Sequence, residues 1–276
     1  MPEGHTLRRL ADELHAAFAG RPVRVSSPQG RFAADAAVLD GQLVIGAKSS
    51  GKHVFVEFPG DRFIHVHLGL IGRFDVRPGP APEPVGQVRL RLVNETAYAD
   101  LRGAPQCELI GAAKRAEILA RLGPDPLQVG SEPAQAWDRI RRSDRPIGAL
   151  LMDQSVLSGV GNVFRAEILF RHRIHPLRPG KTLRRSQFEA MWGDLVLLLA
   201  QGVDTGRIDT VRPEHTPKAL GRPPRKADDG GEVYVYRRHG EPCLVCQSKI
   251  RTAELAGRNL FWCPRCQPRF RSRAVG

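Results

Sequence analysis

Pro2 and Glu3 place an amine and a carboxylate one residue apart at the start of the chain. The initiator methionine is normally trimmed when the next residue is small, which exposes the secondary amine of Pro2. An α-amine titrates at about pH 8, roughly two units below a lysine, so a useful fraction is unprotonated at neutral pH. Such an amine can attack an electrophilic carbon, as Schiff-base lysines do, and Glu3 beside it can move protons. On these two residues alone the plainer reading, a tolerated N-terminus, is favoured. The rest of the chain reverses that order.

Cys243-x2-Cys246 and Cys263-x2-Cys266 are separated by sixteen residues, a spacing at which two knuckles can close on one zinc from opposite ends of a hairpin. Four thiolates fill a tetrahedral shell and leave no open position, so the ion is structural. A module this small has little core, and metal binding supplies much of its folding free energy. Cys107 is left over and is expected to pack as a small hydrophobe. Arg258 falls at the tip between the knuckles, in Ala256-Gly257-Arg258-Asn259, where a guanidinium fork can meet a phosphate. Leu157-Ser158-Gly159-Val160-Gly161-Asn162 joins two apolar helical patterns, with Asn162 read as the N-cap of the second. A glycine-lined helix N-terminus is a natural phosphate site, although any helix-turn-helix pair can use such a loop for geometry alone. Lys52 follows Ser49-Ser50-Gly51 at a strand start and, taken singly, reads as a solvated lysine. His65 and His67 share one strand face; no third metal ligand is evident near them, so they read as satisfied polar residues.

These residues need elements to position them. The spacing of Leu7, Leu10, Leu14 and Phe18 predicts an amphipathic helix over 6–19, stopped at Gly20. Residues 40–110 read as strands (VFVEF, RFIHVHL, VRLRLV) with turns at Pro59-Gly60-Asp61 and Pro78-Gly79-Pro80, predicting a β-sandwich or barrel with one flanking helix. From residue 113 the texture turns helical, and Thr216 to Gly231 reads as a mobile loop. The domains expected are 2–112, 113–235 and 236–272, an α+β multidomain chain without internal repeats.

The 276 residues carry 42 Lys+Arg against 29 Asp+Glu, a net charge of +13. A charge of that size suits a polyanion, since neutralising phosphates releases counterions. Aromatics are only 6%, so wide stacking platforms of the single-strand-binding kind are not prominent. The N-terminus carries charges where a signal peptide needs an apolar stretch, and Leu195 to Ala200 is too short to span a bilayer. The expected setting is cytoplasmic, with no membrane partner. Reducing conditions there favour metal over disulfides for the cysteines.

With these positions assembled, the chain resembles the formamidopyrimidine-DNA glycosylase / endonuclease VIII family of base-excision repair enzymes. The resemblance rests on Pro2-Glu3-Gly4, Gly51-Lys52, His67-Leu68-Gly69-Leu70-Ile71-Gly72, Leu122-Gly123-Pro124-Asp125-Pro126-Leu127, the segment from Leu151 to Phe170, and Gly257-Arg258 before Cys263-Pro264-x-Cys266-Gln267. It implies an N-terminal β-sandwich, a helix-two-turn-helix domain and a four-cysteine zinc finger. The implied partner is double-stranded DNA carrying oxidised bases or abasic sites, bound by a monomer. It implies that Pro2 attacks C1′ of the damaged nucleotide and that Glu3 protonates the sugar. Lys52, Asn162 and Arg258 would clamp phosphates, Lys52 and Arg258 counting with the catalytic set. The base must leave the stack for such chemistry.

Within the family the endonuclease VIII side is favoured. Ser155 stands where the formamidopyrimidine branch tends to carry a lysine. Asp100-Leu101-Arg102-Gly103-Ala104 keeps an arginine at Arg102 but lacks that branch's stacking phenylalanine. Leu70 occupies the apolar wedge position. Thr6 stands where both branches usually have glutamate, which bears on the later elimination steps. The expectation is removal of oxidised pyrimidines followed by β,δ-elimination. The alternatives are a glycosylase for oxidised purines or formamidopyrimidines, or a catalytically silent DNA-binding protein of this fold.

Overall fold

The structure is a computed structural model that describes residues 2–225 and 231–270. Met1, residues 226–230 of the polar stretch and residues 271–276 of the basic tail lie outside the described residues. The chain divides into two compact units, one ending at Leu122 and one beginning at Gly123.

The first unit opens with α1 (Gly4–Phe18), whose Leu7, Leu10, Leu14 and Phe18 all point inward. Gly20 follows the helix with φ +74°, the left-handed turn expected of a C′ glycine. Then come β1 (Arg24–Ser26), α2 (Ala33–Leu39), β2 (Gly46–Ser50), β3 (His53–Phe58), β4 (Arg62–His67), β5 (Arg73–Pro78), β6 (Val88–Val93), β7 (Ala97–Arg102), β8 (Gln106–Gly111) and α3 (Ala112–Ala120). The short α2 and β1 precede the region 40–110 read as strands, in a stretch where the sequence pattern predicts no element. Two four-stranded antiparallel sheets form, in the orders β1-β6-β7-β5 and β2-β3-β4-β8. They are the β-sandwich. The inward side chains of one sheet, Val54, Val56 and Phe58 of β3 with Ile64 and Val66 of β4, join α1 and Leu90, Leu92 and Leu101 of the other in one core. Cys107 packs in that core, and burial pushes its thiol up to about 12. The outer face of the second sheet carries Phe55, Phe63 and Ile110, which pack against Ile118 and Leu119 of α3. The remainder of that face is polar.

The second unit contains α4 (Ala134–Ile140), α5 (Ile147–Leu150), α6 (Asn162–Arg171), α7 (Arg185–Thr205) and α8 (Pro217–Leu220). A final hairpin pairs β9 (Arg251–Leu255) with β10 (Arg258–Trp262). Apolar residues of α4 to α7 make one core. A second, smaller core joins Val163, Ala166 and Phe170 of α6 to Val233, Val235, Ile250 and Phe261. The described part of the expected mobile loop is tied down: Thr216 caps α8, and Glu232 accepts from Arg222 at 2.5 Å and from the Arg225 backbone N–H at 2.7 Å. The polar composition of that stretch encodes local caps and ion pairs as well as exposure. No helix among the described residues is long and apolar enough to cross a membrane.

Candidate active site and nucleic-acid interface

Glu3 is the N-cap residue of α1; its carbonyl accepts from the Thr6 and Leu7 backbone N–H groups, and the residue is fully buried. Pro2, one residue earlier, lies on the wall of a cavity of about 540 Å³ that is also lined by Thr6, Leu68, Leu70 and Arg73. The helix start fixes Glu3 in the protein while the half-buried proline lines the cavity. The loop from Leu68 to Gly72 brings Leu70 and Ile71 to this cavity, 51% and 80% exposed. Gly72 has no substitute here, because a Cβ would sit 2.3 Å from the Leu68 carbonyl oxygen. Two large apolar side chains held in solvent beside Pro2 are the feature of this loop that folding alone does not explain.

Lys52 does not line the cavity. It sits in the two-residue turn between β2 and β3, where Gly51 takes φ +56°. Positive φ at the first position suits the primed turns that match strand twist. Arg102, at the end of β7, is also outside the cavity. Its guanidinium donates to Asp100 at 2.9 Å and to the Val85 carbonyl at 3.2 Å. Asp100 also takes a bidentate pair from Arg91 at 2.6 and 2.8 Å. Burial would raise the Asp100 carboxyl, but the two arginines outweigh it and hold it below the usual carboxylate range. Ala104 is buried, and its methyl group puts no aromatic ring at that position.

In the second unit the N-cap of α6 is Gly161, and Asn162 is the first helical residue. This corrects the expectation of an Asn162 cap. The side chain is buried and engaged instead: Nδ2 donates to the Asn259 carbonyl at 3.1 Å, and Oδ1 accepts from Arg165. The fully buried Arg165 donates to the same Asn259 carbonyl at 2.9 Å. Asn162 is thereby linked to the residue next to Arg258. Arg258 itself is the exposed first residue of β10, after a turn in which Ala256 and Gly257 take φ +51° and +68°. Two positive φ values in a two-residue loop are the signature of a type I′ hairpin. Ser155 is exposed, and its hydroxyl donates to Asp153 at 2.7 Å.

The four sulfurs of Cys243, Cys246, Cys263 and Cys266 lie within 4.8 Å of one another, with Cys243–Cys266 at 3.8 Å and Cys246–Cys263 at 3.4 Å. Metal–sulfur bonds of about 2.3 Å in a tetrahedron put sulfurs about 3.8 Å apart, so the donor set fits one structural zinc. It is the one such group of metal-capable side chains among the described residues. Gln267 fixes the finger to the helices, its amide accepting from the Cys263 N–H at 3.0 Å and donating to the Ile174 carbonyl at 2.9 Å.

Two arrangements escaped the sequence. Glu167 of α6 accepts from the backbone N–H groups of Tyr234, Val235 and Tyr236 at 2.7 to 2.9 Å and from the Thr210 hydroxyl at 2.6 Å. The signal was a carboxylate inside an apolar run. His53, His65, His67 and Glu108 meet on the outer face of the second sheet, where His65 is satisfied by Glu108 and His53.

Known proteins match this chain along most of its length. Residues 1–107 match the formamidopyrimidine-DNA glycosylase N-terminal domain, 122–213 its H2TH domain, and 240–269 the zinc finger found in FPG and IleRS. Endonuclease 8 1 of Mycobacterium tuberculosis is 54% identical over 271 residues, covering 97% of this chain and all of that one. The chain belongs to the formamidopyrimidine-DNA glycosylase / endonuclease VIII family. Members are DNA glycosylases with abasic-site lyase activity that serve base excision repair. A formamidopyrimidine-DNA glycosylase of Geobacillus kaustophilus is 33% identical over 278 residues, covering 97% of this chain and 98% of its own. Among solved structures, Lactococcus lactis Fpg in complex with DNA containing an abasic site superposes with a TM-score of 0.78 at 22% identity. That match covers 97% of this chain and all of the other, and it supports the fold.

Proposed function

We propose that this family member is a bifunctional glycosylase/lyase that removes oxidised pyrimidines through Pro2 and cleaves the strand by β,δ-elimination. The observation that carries the reading is Pro2 on the wall of a cavity shared with the exposed apolar side chains of Leu70 and Ile71. The Pro2 nitrogen bonds to C1′ as the glycosidic bond breaks; the bond's electron pair leaves with the base, which takes up the proton that the amine gives up. Glu3 gives a proton to the ring oxygen, the sugar opens, and the nitrogen and C1′ form an iminium. Loss of the C2′ proton then expels the 3′ phosphate, and loss of the C4′ proton expels the 5′ phosphate. Lys52, Asn162 and Arg258 hold phosphates, Arg102 contacts the DNA, and Leu70 fills space left by the flipped base. The protein acts as a monomer on double-stranded DNA, cytoplasmic and at the nucleoid.

Substrate choice follows from what the sites lack. Ser155 offers a short hydroxyl engaged by Asp153, and Ala104 offers no ring. Without a lysine and a stacking phenylalanine, an oxidised purine gains little. Non-planar pyrimidines such as thymine glycol stack poorly and cost less to flip. Single-turnover cleavage of matched duplexes bearing thymine glycol, dihydrouracil or 8-oxoguanine opposite cytosine tests this. Thymine glycol or dihydrouracil cut fastest, leaving 3′ and 5′ phosphates, is expected; fastest cutting of 8-oxoguanine would overturn the pyrimidine assignment.

A further inference from the structure

The outer face of the β2-β3-β4-β8 sheet holds a hydrogen-bonded chain of side chains that the reaction above does not use. Register places His53 opposite His67, and His65 opposite Glu108. Gln106 donates to Glu108 at 2.8 Å, His65 Nδ1 lies 3.1 Å from the same carboxylate oxygen, and His53 Nδ1 lies 2.9 Å from His65 Nε2. Burial would raise the Glu108 carboxyl, yet the bonds from His65 and Gln106 hold it below its ordinary value. An ionised carboxylate only accepts, so His65 Nδ1 carries the proton. Burial keeps His65 neutral at ordinary pH, which leaves its Nε2 as an acceptor, and His53 Nδ1 must donate to it. Neutral His53 then carries a bare lone pair on Nε2, an atom with no hydrogen-bond partner among the described residues and not sealed from water.

This lone pair sits at a particular end of the sheet. His53 follows Lys52, and its cross-strand neighbour His67 immediately precedes Leu68, where the loop lining the Pro2 cavity begins. Gly69 donates to His67 Nδ1 at 3.1 Å, so neutral His67 presents an N–H at Nε2 while His53 presents a lone pair. The groups facing His53 are Ser50 and Lys48 from β2, Lys52 from the turn, His65 and His67 from β4, and Glu108 from β8. Lys114 of α3 acts on His65, and α1 covers the opposite, apolar face.

We infer that His53 is a proton-linked phosphate ligand beside Lys52: on DNA binding it takes one proton from solvent at Nε2 and donates it to a phosphate oxygen, while Nδ1 keeps donating along the chain to His65 and Glu108. The inference rests on the reading of Lys52 as a phosphate clamp. Without DNA, burial first and then the neighbouring His65, His67 and Lys52 depress His53 to about 4, so the free protein holds it neutral. A phosphate in contact raises a histidine by about two units, and the ionised Glu108 at the far end of the chain favours the same direction. The proton is therefore gained on binding, and affinity rises as pH falls through the bound-state value.

The probe is a duplex carrying one tetrahydrofuran abasic analogue, which the enzyme binds without cleaving. Calorimetric titration at pH 5.5 in buffers of different ionisation enthalpy reads the protons taken up. The wild type is expected to take up about 0.7 of a proton more than His53→Asn, and its affinity to gain about fourfold more between pH 7.5 and 5.5. Glu108→Gln removes the charge but keeps the bonds, and uptake should fall between the two. Thermal melts confirm that the variants are folded. Lys52→Ala is read at pH 7.5, where His53 is neutral: there the clamp reading alone predicts weaker binding and a flatter salt dependence. His53→Asn with the uptake and pH dependence of the wild type overturns the proposal, whatever Lys52→Ala does. Reduced uptake in His53→Asn with a silent Lys52→Ala keeps His53 as the ligand and removes Lys52 from the clamp.

Discussion

Lys52 and Arg258 are delivered by the same local device from opposite kinds of support. Each follows a glycine at positive φ, +56° at Gly51 and +68° at Gly257, in the tight turn of an antiparallel hairpin. The hairpin under Lys52 stands on a sandwich core that includes Val54, Val56, Phe58, Ile64 and Val66. The one under Arg258 has burial only at Leu260 and Phe261, and its base is tied by four sulfurs. A cation can thus be aimed by hydrophobic burial or by metal coordination, and the two should fail under different insults.

The largest effect expected is from Cys263→Ser. Structural zinc in such modules contributes on the order of 10 kcal/mol of apparent folding free energy at neutral pH. The variant should lose zinc by metal analysis and weaken DNA binding by about tenfold or more, 1.4 kcal/mol at least. The unfolding transition of the sandwich should stay in place. Zinc absent from active wild-type protein would remove the metal half of the comparison.

Phe58→Ala is the reciprocal insult. Phe58 is fully buried in the sandwich core, and such a truncation costs about 3–5 kcal/mol. Denaturant unfolding should show that loss in the first unit with zinc content unchanged. A lowered zinc content would mean that the two supports are not separate.

An intermediate effect is expected from pH in the second unit. Asp194 accepts a bidentate pair from Arg171 at 2.7 Å and a contact from His172 at 3.1 Å. Burial would raise its carboxyl, but these partners outweigh that and hold it down to about 2, from 3.8. A lowered folded-state value contributes stability above the unfolded value, lost as pH falls from about 4 towards 2. The contribution is about 2 kcal/mol. Asp194→Asn should flatten the dependence of unfolding free energy on pH in that window. An unchanged slope would show that Asp194 does not set it.

How much of this was legible depended on the range over which each feature is encoded. The four cysteines and the Leu7-to-Phe18 stripe are local in sequence, and their placement followed from spacing. The His53–His65–Glu108 chain exists only through cross-strand register, which joins residues up to 55 positions apart. Read along the chain, His65 and His67 had no evident companion. Glu167 is similar: its four donors come from 43 to 69 residues away. Asn162 went differently for a short-range reason. Asparagine is a common N-cap, but the adjacent Gly161 takes the extended backbone, and the finger's Asn259 carbonyl claims the asparagine amide.

The smallest effect separates the two cations themselves. Arg258→Ala should lower affinity and flatten the log–log salt dependence by about one unit, the signature of one lost phosphate contact. Zinc content should be unchanged, since the exposed side chain bears no part of the fold. An unchanged slope would leave Arg258 an ordinary surface residue.

The most direct test of the account is borohydride trapping on an abasic duplex, with the N-terminus either processed to Pro2 or blocked by a retained methionine or tag. Attack by the Pro2 amine at C1′ gives an iminium that borohydride reduces to a stable cross-link. The processed protein should trap, with the adduct mapped by mass spectrometry to Pro2; Pro2→Gly should trap weakly and the blocked form not at all. Undiminished trapping by the blocked protein, with the adduct on a lysine, would contradict the account.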